Sequence, residues 1–275
     1  MAAFAGAAAW AASADEAPGV IRVGTYNLRL DLAADGRNAW PHRREAVRAL
    51  IERHGFDLLG TQEGLPHQID ELATLPGWAW AGAGRDDGAR AGEHAALFYR
   101  PARFELMAQG HFWLSATPEQ PSIGWDGRCC RRLAQWVQLR ERGSGATLFV
   151  FNAHFDHEGV QARLESARLL LRRVQAIAAG QPVIVPGDFN ATPQTPPMRL
   201  LQQGLRDTHA ASATPPQGPP GTFNGFDPAR TAQDRIDHVF VSSAWQVLSH
   251  EVLVEPSDGR HPSDHHPVRV RLRLP

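Results

Sequence analysis

Where the strand-like runs of this chain end, acids, amides and histidines gather. The stretch VIVPGDFNATP (183–193) is the plainest case. Val183, Ile184 and Val185 read as a strand buried on both faces, which ends at Pro186-Gly187 and hands over to Asp188 and Asn190. One such ending is ordinary turn chemistry, since Asp and Asn bond their own backbone. Yet TYNLR offers Asn27 and Arg29, TQE offers Glu63, and GEHAALFYR begins with Glu93. In FNAHFDH the strand period of two puts Asn152, His154 and Asp156 on one side. RIDHVF carries Asp237, and PSDHHPV carries Asp264 and His265. Repetition at most strand ends calls for a cause, because isolated buried charges are costly unless paired or bound to metal.

The inventory suits a hard divalent cation. Carboxylate and amide oxygens with water are what magnesium takes, whereas zinc recruits histidine or cysteine in sets that have no counterpart here. The histidines are then free for proton transfer, a carboxylate neighbour fixing the tautomer and raising the pKa. Carboxylates, amide donors, arginines and two histidines around one metal are what phosphoester hydrolysis needs: a phosphate clamp, a water activator and a stabiliser of the leaving group.

The elements that must position these groups are strands at 20–27, 57–63, 95–100, 133–139, 147–155, the run around 183–188, 236–241 and 266–274. Helical periodicity appears at 41–54, with Val47, Leu50 and Ile51 on one face. It returns at 160–179, with a stripe of Leu164, Ala167, Leu171 and Val174. Strands and helices alternate early and strands dominate late, which predicts packed sheets with helices outside, in one α/β domain. ASATPPQGPPGT (211–222) reads as a surface loop, since strands of the same kind follow it.

The 275 residues are 43% hydrophobic and 21% charged, with formal charge −1, so no global field collects nucleic acid. All cations are arginine, a mark of composition bias. Cys129 and Cys130 are adjacent, and a bond between neighbours is strained, so no structural disulfide is expected. Residues 1–17 (MAAFAGAAAWAASADEA) look like an apolar leader with a small-residue cleavage site but no basic start, which predicts export to the periplasm or beyond. If that segment is not a signal, the protein is cytoplasmic. No other stretch is apolar enough to span a bilayer.

TQE, GDFN and SDHHPV, in this order and joined by NLR and RID, resemble the endonuclease/exonuclease/phosphatase superfamily, which includes pancreatic-type deoxyribonuclease, abasic-site endonucleases and neutral sphingomyelinases. The resemblance covers roughly residues 20–273. DGRNAWPHRREAVRALI, GTQEGLPHQ, AGRDDG, FWLSATPEQP and FNAHFDH are similar to a bacterial branch of hydrolases. It implies a four-layered α/β/β/α sandwich, two mixed sheets face to face with outer helices, over residues 18–275. It also implies that Glu63 is the principal metal ligand, with Asn27 and Asp264 completing the shell around Mg2+, or Mn2+ in its place. Asp188 matches the acid that orients or deprotonates water, and Asn190 the amide holding a phosphate oxygen. Asp237 and His265 match a carboxylate–imidazole pair that acts as base or as phosphate binder. His154 matches a second phosphate-facing histidine, and Glu93 stands where the deoxyribonuclease branch places its carboxylate partner. Arg29 and Arg163 are candidate phosphate or substrate-edge contacts, as are Asp156 and, in the Gly-bracketed IGWDGR, Trp125.

The expected activity is a magnesium-dependent phosphoesterase, a monomer acting on a phosphodiester of small-molecule, sugar or lipid type. An endonuclease is the alternative, but arginines such as Arg43, Arg44, Arg168, Arg172 and Arg173 fall on helices without interleaved aromatics. A non-catalytic phosphate binder is the third reading. Retention of every acid and histidine argues against it.

Overall fold

The computed structural model describes residues 19–274, so the expected leader at 1–17 lies outside the described residues. Two six-stranded sheets form the frame. The first runs β11-β12-β1-β2-β4-β3, with β1 Val20–Asn27, β2 Leu58–Gln62, β3 Ala79–Ala81, β4 Leu97–Tyr99, β11 Gln246–Val252 and β12 Val268–Arg273. The second runs β5-β6-β7-β8-β10-β9, with β5 Phe104–Trp113, β6 Leu133–Glu141, β7 Thr147–His154, β8 Val183–Asp188, β9 Arg206–Asp207 and β10 Asp237–Val241. Both sheets are mixed: β1 is parallel to β2 and antiparallel to β12, and β7 is parallel to β8, which is antiparallel to β10.

Three apolar layers separate the elements. One lies between the sheets and holds Val23, Leu58, Val150, Ile184, Val239 and Val270. The second joins the β7–β8 sheet to α3 (Val160–Ala178) and α4 (Pro196–Leu201) through Phe151, Leu170, Val174, Val185 and Met198. The third joins the β1–β2 sheet to α1 (Arg44–His54) and α2 (Pro66–Ala73) through Tyr26, Val47, Ile51, Leu59 and Ile69. This is the four-layered α/β/β/α sandwich. A four-residue α5 (Thr208–Ala211) follows β9. The buried stripe of α3 is Ala162, Ser166, Ala167, Leu169, Leu170, Val174 and Ala178, rotated from the expected one: Leu164 and Leu171 are half-buried at its edge. Pro186 and Gly187 do not end their strand; they lie inside β8, opposite Val239 and His238. The glycine is needed there, because a Cβ would sit 2.4 Å from the Ala153 carbonyl oxygen.

A polar staple crosses the apolar interface between the sheets. Asn152 donates to the carbonyls of Thr61 (2.8 Å) and Ala96 (2.9 Å) and accepts from Gln62 at 2.7 Å. Each of these bonds runs to a buried group, so the staple fixes how far one sheet slides on the other. Gly60 permits that approach, since a Cβ there would lie 2.7 Å from Asn152 Oδ1. Registers place Asn27 beside Gln62, His154 beside Asp188, and Asp188 beside Asp237. The C-terminal ends of β1, β2, β7 and β8 therefore open on one edge, where α/β sheets build sites.

Cys129 and Cys130 overturn one expectation: they are joined by a disulfide. The ring it closes contains one peptide bond and eight atoms, and it needs no long-range approach of Cα atoms, which stand 3.7 Å apart as in any trans dipeptide.

Candidate active site

That edge encloses a cavity of about 380 Å³ lined by Arg29, Leu30, Glu63, Arg85, Glu93, Cys130, Arg132, His154, His157, Asp188, Asn190, Phe223, Ile236, Asp264 and His265. Three of these, Arg29, Glu63 and Asn190, hold left-handed backbone (φ 55°, 64° and 47°) without being glycine. Such strain persists where surrounding structure over-determines it, typically at functional sites. Each of the three follows within two residues of a strand end and lines the cavity.

The acids are wired together. Asn27 Nδ2 donates to Glu63 Oε1 at 3.0 Å and to Asp188 Oδ2 at 2.9 Å, while its oxygen accepts the Arg29 N–H. Asn27 is thus a bridge between two carboxylates from opposite sheets. The other Glu63 oxygen accepts from the Leu30 N–H, and Asp188 Oδ1 from the Asn190 N–H. Burial and the adjacent Asp237 push the Asp188 carboxyl up to about 7. Burial also raises Asp264; Glu63 adds to that rise and His265 opposes it. Crowded, partly desolvated carboxylates of this kind call for a cation.

The imidazoles are held in opposite states. His265 Nδ1 lies 2.8 Å from Asp237 Oδ2, and its Nε2 faces Asp188 at 3.9 Å. Burial favours neutral imidazole, but the Asp237 and Asp188 carboxylates outweigh it and hold His265 well above its ordinary pKa, protonated near neutrality. His154 is depressed well below by burial and by Arg132. Arg132 Nη1 lies 3.0 and 2.9 Å from the two His154 ring nitrogens, and Nη2 donates to His157 Nδ1 at 2.7 Å. His154 Nε2 lies 3.7 Å from Asp188 Oδ2, so the Asp188 carboxylate sits between one charged and one neutral ring.

A divalent cation fits this donor set. Glu63, His154 and Asp188 each place a ligand atom within 4.8 Å of the others, and Asp264 lines the same wall. The oxygen-rich composition matches a hard ion. Glu63 and Asp264 would hold it, with Asp188 or water beside them. A bound ion supplies Lewis-acid stabilisation of phosphoryl oxygens. The chain's own groups do the rest: Asp188 is placed to orient a water, protonated His265 to donate to a phosphoryl or leaving oxygen, and Asn190, whose Nδ2 is anchored on the Phe155 carbonyl at 3.1 Å, to edge the phosphate position.

Not every sequence candidate reaches the cavity. Asp237 acts through His265, and its Oδ1 has no partner. Glu93 lines the cavity but pairs with Arg85 (2.6 Å), not with His154. Arg29 lines it while bonded to Asp35 through Nε and Nη2, both at 2.9 Å. Asp156 instead builds the turn into α3, accepting from the Glu158 and Gly159 N–H groups. Arg163 donates to the Asp156 carbonyl and borders a neighbouring groove with Val160, Leu164, Pro197, Phe223 and Ile236. Trp125 packs on the apolar layer under α3. The sequence reading missed Arg85 and Arg132. Arg132 precedes β6, which is antiparallel to β7, so the start of β6 falls at the edge where β7 ends. A search of strand ends alone passes it over.

Over residues 24–265 the chain matches the sequence model of the Endonuclease/Exonuclease/phosphatase family. A crystal structure of an endonuclease/exonuclease/phosphatase family protein from Bacteroides thetaiotaomicron superposes with TM-score 0.90 at 35% identity, covering 94% of this chain and all of that one. A mannosyl-6-phosphatase of the same organism superposes with TM-score 0.87 at 36% identity, covering 92% of this chain and all of that one. An uncharacterized protein of Acanthamoeba polyphaga mimivirus is 26% identical over 159 residues, 55% of this chain and 59% of that protein, so the match spans about three fifths of that curated relative. With the family's motifs converging on one oxygen-rich cavity of the expected sandwich, the chain belongs to the endonuclease/exonuclease/phosphatase family of divalent-metal-dependent phosphoester hydrolases.

Proposed function

We propose that this hydrolase removes a terminal phosphate from a small phosphorylated polyol or sugar, with magnesium or manganese as its ion. The observation that carries this reading is Arg132. It is buried, faces the cavity, has no carboxylate nearer than Asp156 at 3.9 Å, and leaves its Nε without a partner. A buried guanidinium short of a counter-ion is completed by an anionic ligand. A phosphomonoester dianion brings twice the charge of a diester to that wall. Likeness to a mannosyl-6-phosphatase supports a sugar phosphate. The sequence expectation of a diester keeps one specific support: the adjoining groove of Val160, Leu164, Phe223 and Ile236 offers room for a second ester substituent.

The deciding experiment compares hydrolysis of mannose 6-phosphate, 4-nitrophenyl phosphate and bis-4-nitrophenyl phosphate, in EDTA and after magnesium is restored. Monoesters should be cleaved with the higher kcat/KM, and chelation should abolish turnover. Preference for the diester would install the second reading, and full activity in EDTA would reject both.

We further infer export, which the Cys129–Cys130 disulfide supports, because disulfides persist where the surroundings oxidise. Finding the mature protein in a periplasmic fraction, starting near Asp15, is the expected outcome. Among the described residues no helix is long and apolar enough to cross a membrane.

A further inference from the structure

The loop between β5 and β6 is anchored on both sides of the cysteine pair. On the upstream side, Asp126 accepts from the Gln161 (3.0 Å) and Ala162 (2.6 Å) N–H groups at the start of α3, and the Gly127 N–H bonds the Gly124 carbonyl at 2.7 Å. On the downstream side, the Arg132 carbonyl accepts the Leu114 N–H at 2.8 Å, and β6 begins at Leu133. Residues 128–131 bridge these anchors. What the structure describes for them is the Cys129–Cys130 bond and one ion pair, Arg131 with Asp86 at 3.4 Å, between half-exposed side chains. Cys130 lines the cavity beside Arg132 and His157.

A bond between adjacent cysteines closes a ring through the intervening peptide, removing side-chain rotation at both residues and much of the backbone freedom between them. Without it, the span would be four residues held by one exposed ion pair, a weak restraint. The side chain that this span delivers is Arg132, the buried cation that we assign to the substrate's phosphate.

We propose that the Cys129–Cys130 disulfide is a positioning brace on the rim of the phosphate cavity, holding Arg132 at the phosphate position when closed and releasing it when opened by a dithiol. Opening is a two-electron exchange: the dithiol's two sulfurs form a new disulfide, and the Cys129 and Cys130 sulfurs each gain an electron and a proton. The freed thiols rotate apart, and the segment before β6 regains its backbone freedom. The inference rests on the phosphate-hydrolase reading for the role of Arg132, but its test does not require turnover.

Three preparations decide it: oxidised wild type, wild type reduced with dithiothreitol, and C129S/C130S. Alkylation with iodoacetamide followed by intact mass measurement counts thiols in each. Calorimetric titration with inorganic phosphate, magnesium present, measures affinity without catalysis. Oxidised protein should show no alkylated thiol, and reduced protein two. Phosphate should bind the oxidised form roughly tenfold more tightly, the scale of one charge-assisted hydrogen bond. C129S/C130S should match the reduced form and ignore dithiothreitol. R132Q should bind phosphate weakly and equally in both redox states, so that the redox contrast of the wild type disappears with this one side chain; a disulfide that acted on the cavity other than through Arg132 would leave a contrast in R132Q. Two alkylated thiols in folded, air-equilibrated wild type would overturn the proposal, and so would equal phosphate affinity in all three preparations. Should no phosphoester be cleaved while phosphate affinity still follows the redox state, the brace stands and the hydrolase reading fails. Where a phosphoester is cleaved, the same contrast should appear in KM with kcat little changed.

Discussion

Adjacent residues on β10 serve two buried polar clusters of opposite character. Asp237 supports the catalytic cavity through His265, and His238, by the strand's alternation, points to the opposite face. On the far side, Arg235 donates to both oxygens of Asp207 (3.2 and 2.8 Å) and to His238 Nδ1 at 2.9 Å, while His238 Nε2 bonds the Ala191 carbonyl at 2.9 Å. One ring nitrogen accepts and the other donates, so His238 is neutral in a single tautomer, and burial with Arg235 lowers its pKa to about 4. Burial works against the Asp207 carboxylate, yet Arg235 holds its pKa below the usual range. That cluster is closed. On the catalytic side Asp237 Oδ1 and Arg132 Nε lack hydrogen-bond partners, and Arg132, Asp188 and His265 line an open cavity. The difference separates structure from function among buried charges: a structural network consumes its own hydrogen bonds, and a catalytic one keeps some for a ligand.

The comparison breaks if the catalytic cluster matters to stability more than to rate. Asp188→Asn removes the water-orienting carboxylate but keeps the cavity's shape, so kcat should fall by roughly 10²–10⁴ with KM little changed. Steady-state kinetics on the cleaved substrate checks it, and an unchanged kcat would remove Asp188 from the mechanism. Glu63→Gln should behave differently: its loss should be partly restored in a magnesium titration, whereas Asp188→Asn should stay inactive.

Arg235→Met tests the closed cluster. Stranding Asp207 without its partner should cost about 3–5 kcal/mol in denaturant unfolding, with kcat per folded molecule nearly preserved. A large loss of kcat at unchanged stability would show that the two clusters are one.

The clusters also separate by pH. Burial holds His238 near 4 and His250 near 3, below the unfolded value of about 6.5. Below that value the unfolded chain takes up protons that the folded chain refuses, so stability should fall between pH 6.5 and 4, by up to about 1.4 kcal/mol per pH unit for each ring. The raised pKa of His265 works the other way: its contribution is complete below about 6.5 and is lost as pH rises through the folded value. Unfolding midpoints from pH 4 to 9 should decline on both limbs, and Asp237→Asn should flatten the alkaline one. A profile flat from 6.5 to 4 would contradict the neutral state of His238.

Much of this architecture is legible in periodicity. The strands at 20–27 and 147–154 and the helix over 160–178 follow from apolar spacing, and every motif acid named as ligand or catalyst lies at one edge or directly supports a group there. Short elements escaped, because β3, β9 and α5 span only two to four residues and owe their form to neighbours. β11 alternates weakly and pairs through an irregularity at Val247/Ser249. Arg132 escaped because its place depends on which strand runs antiparallel to β7. The Glu93–Arg85 pair escaped because both lie on an irregular stretch tied together by backbone bonds such as Arg85 N–H to the Glu93 carbonyl.

The pairing of β1 with β12 has a practical consequence. Val20 sits opposite Arg273, so the first and last strands begin and finish side by side, at the end of the sheet remote from Asn27. Seven residue steps of extended chain separate Val20 from Asn27, roughly 23 Å at strand rise. A tag, carrier domain or bead joined next to Val20 or just after Arg273 would start from that remote end, so enzyme immobilised there should keep its cavity open to substrate.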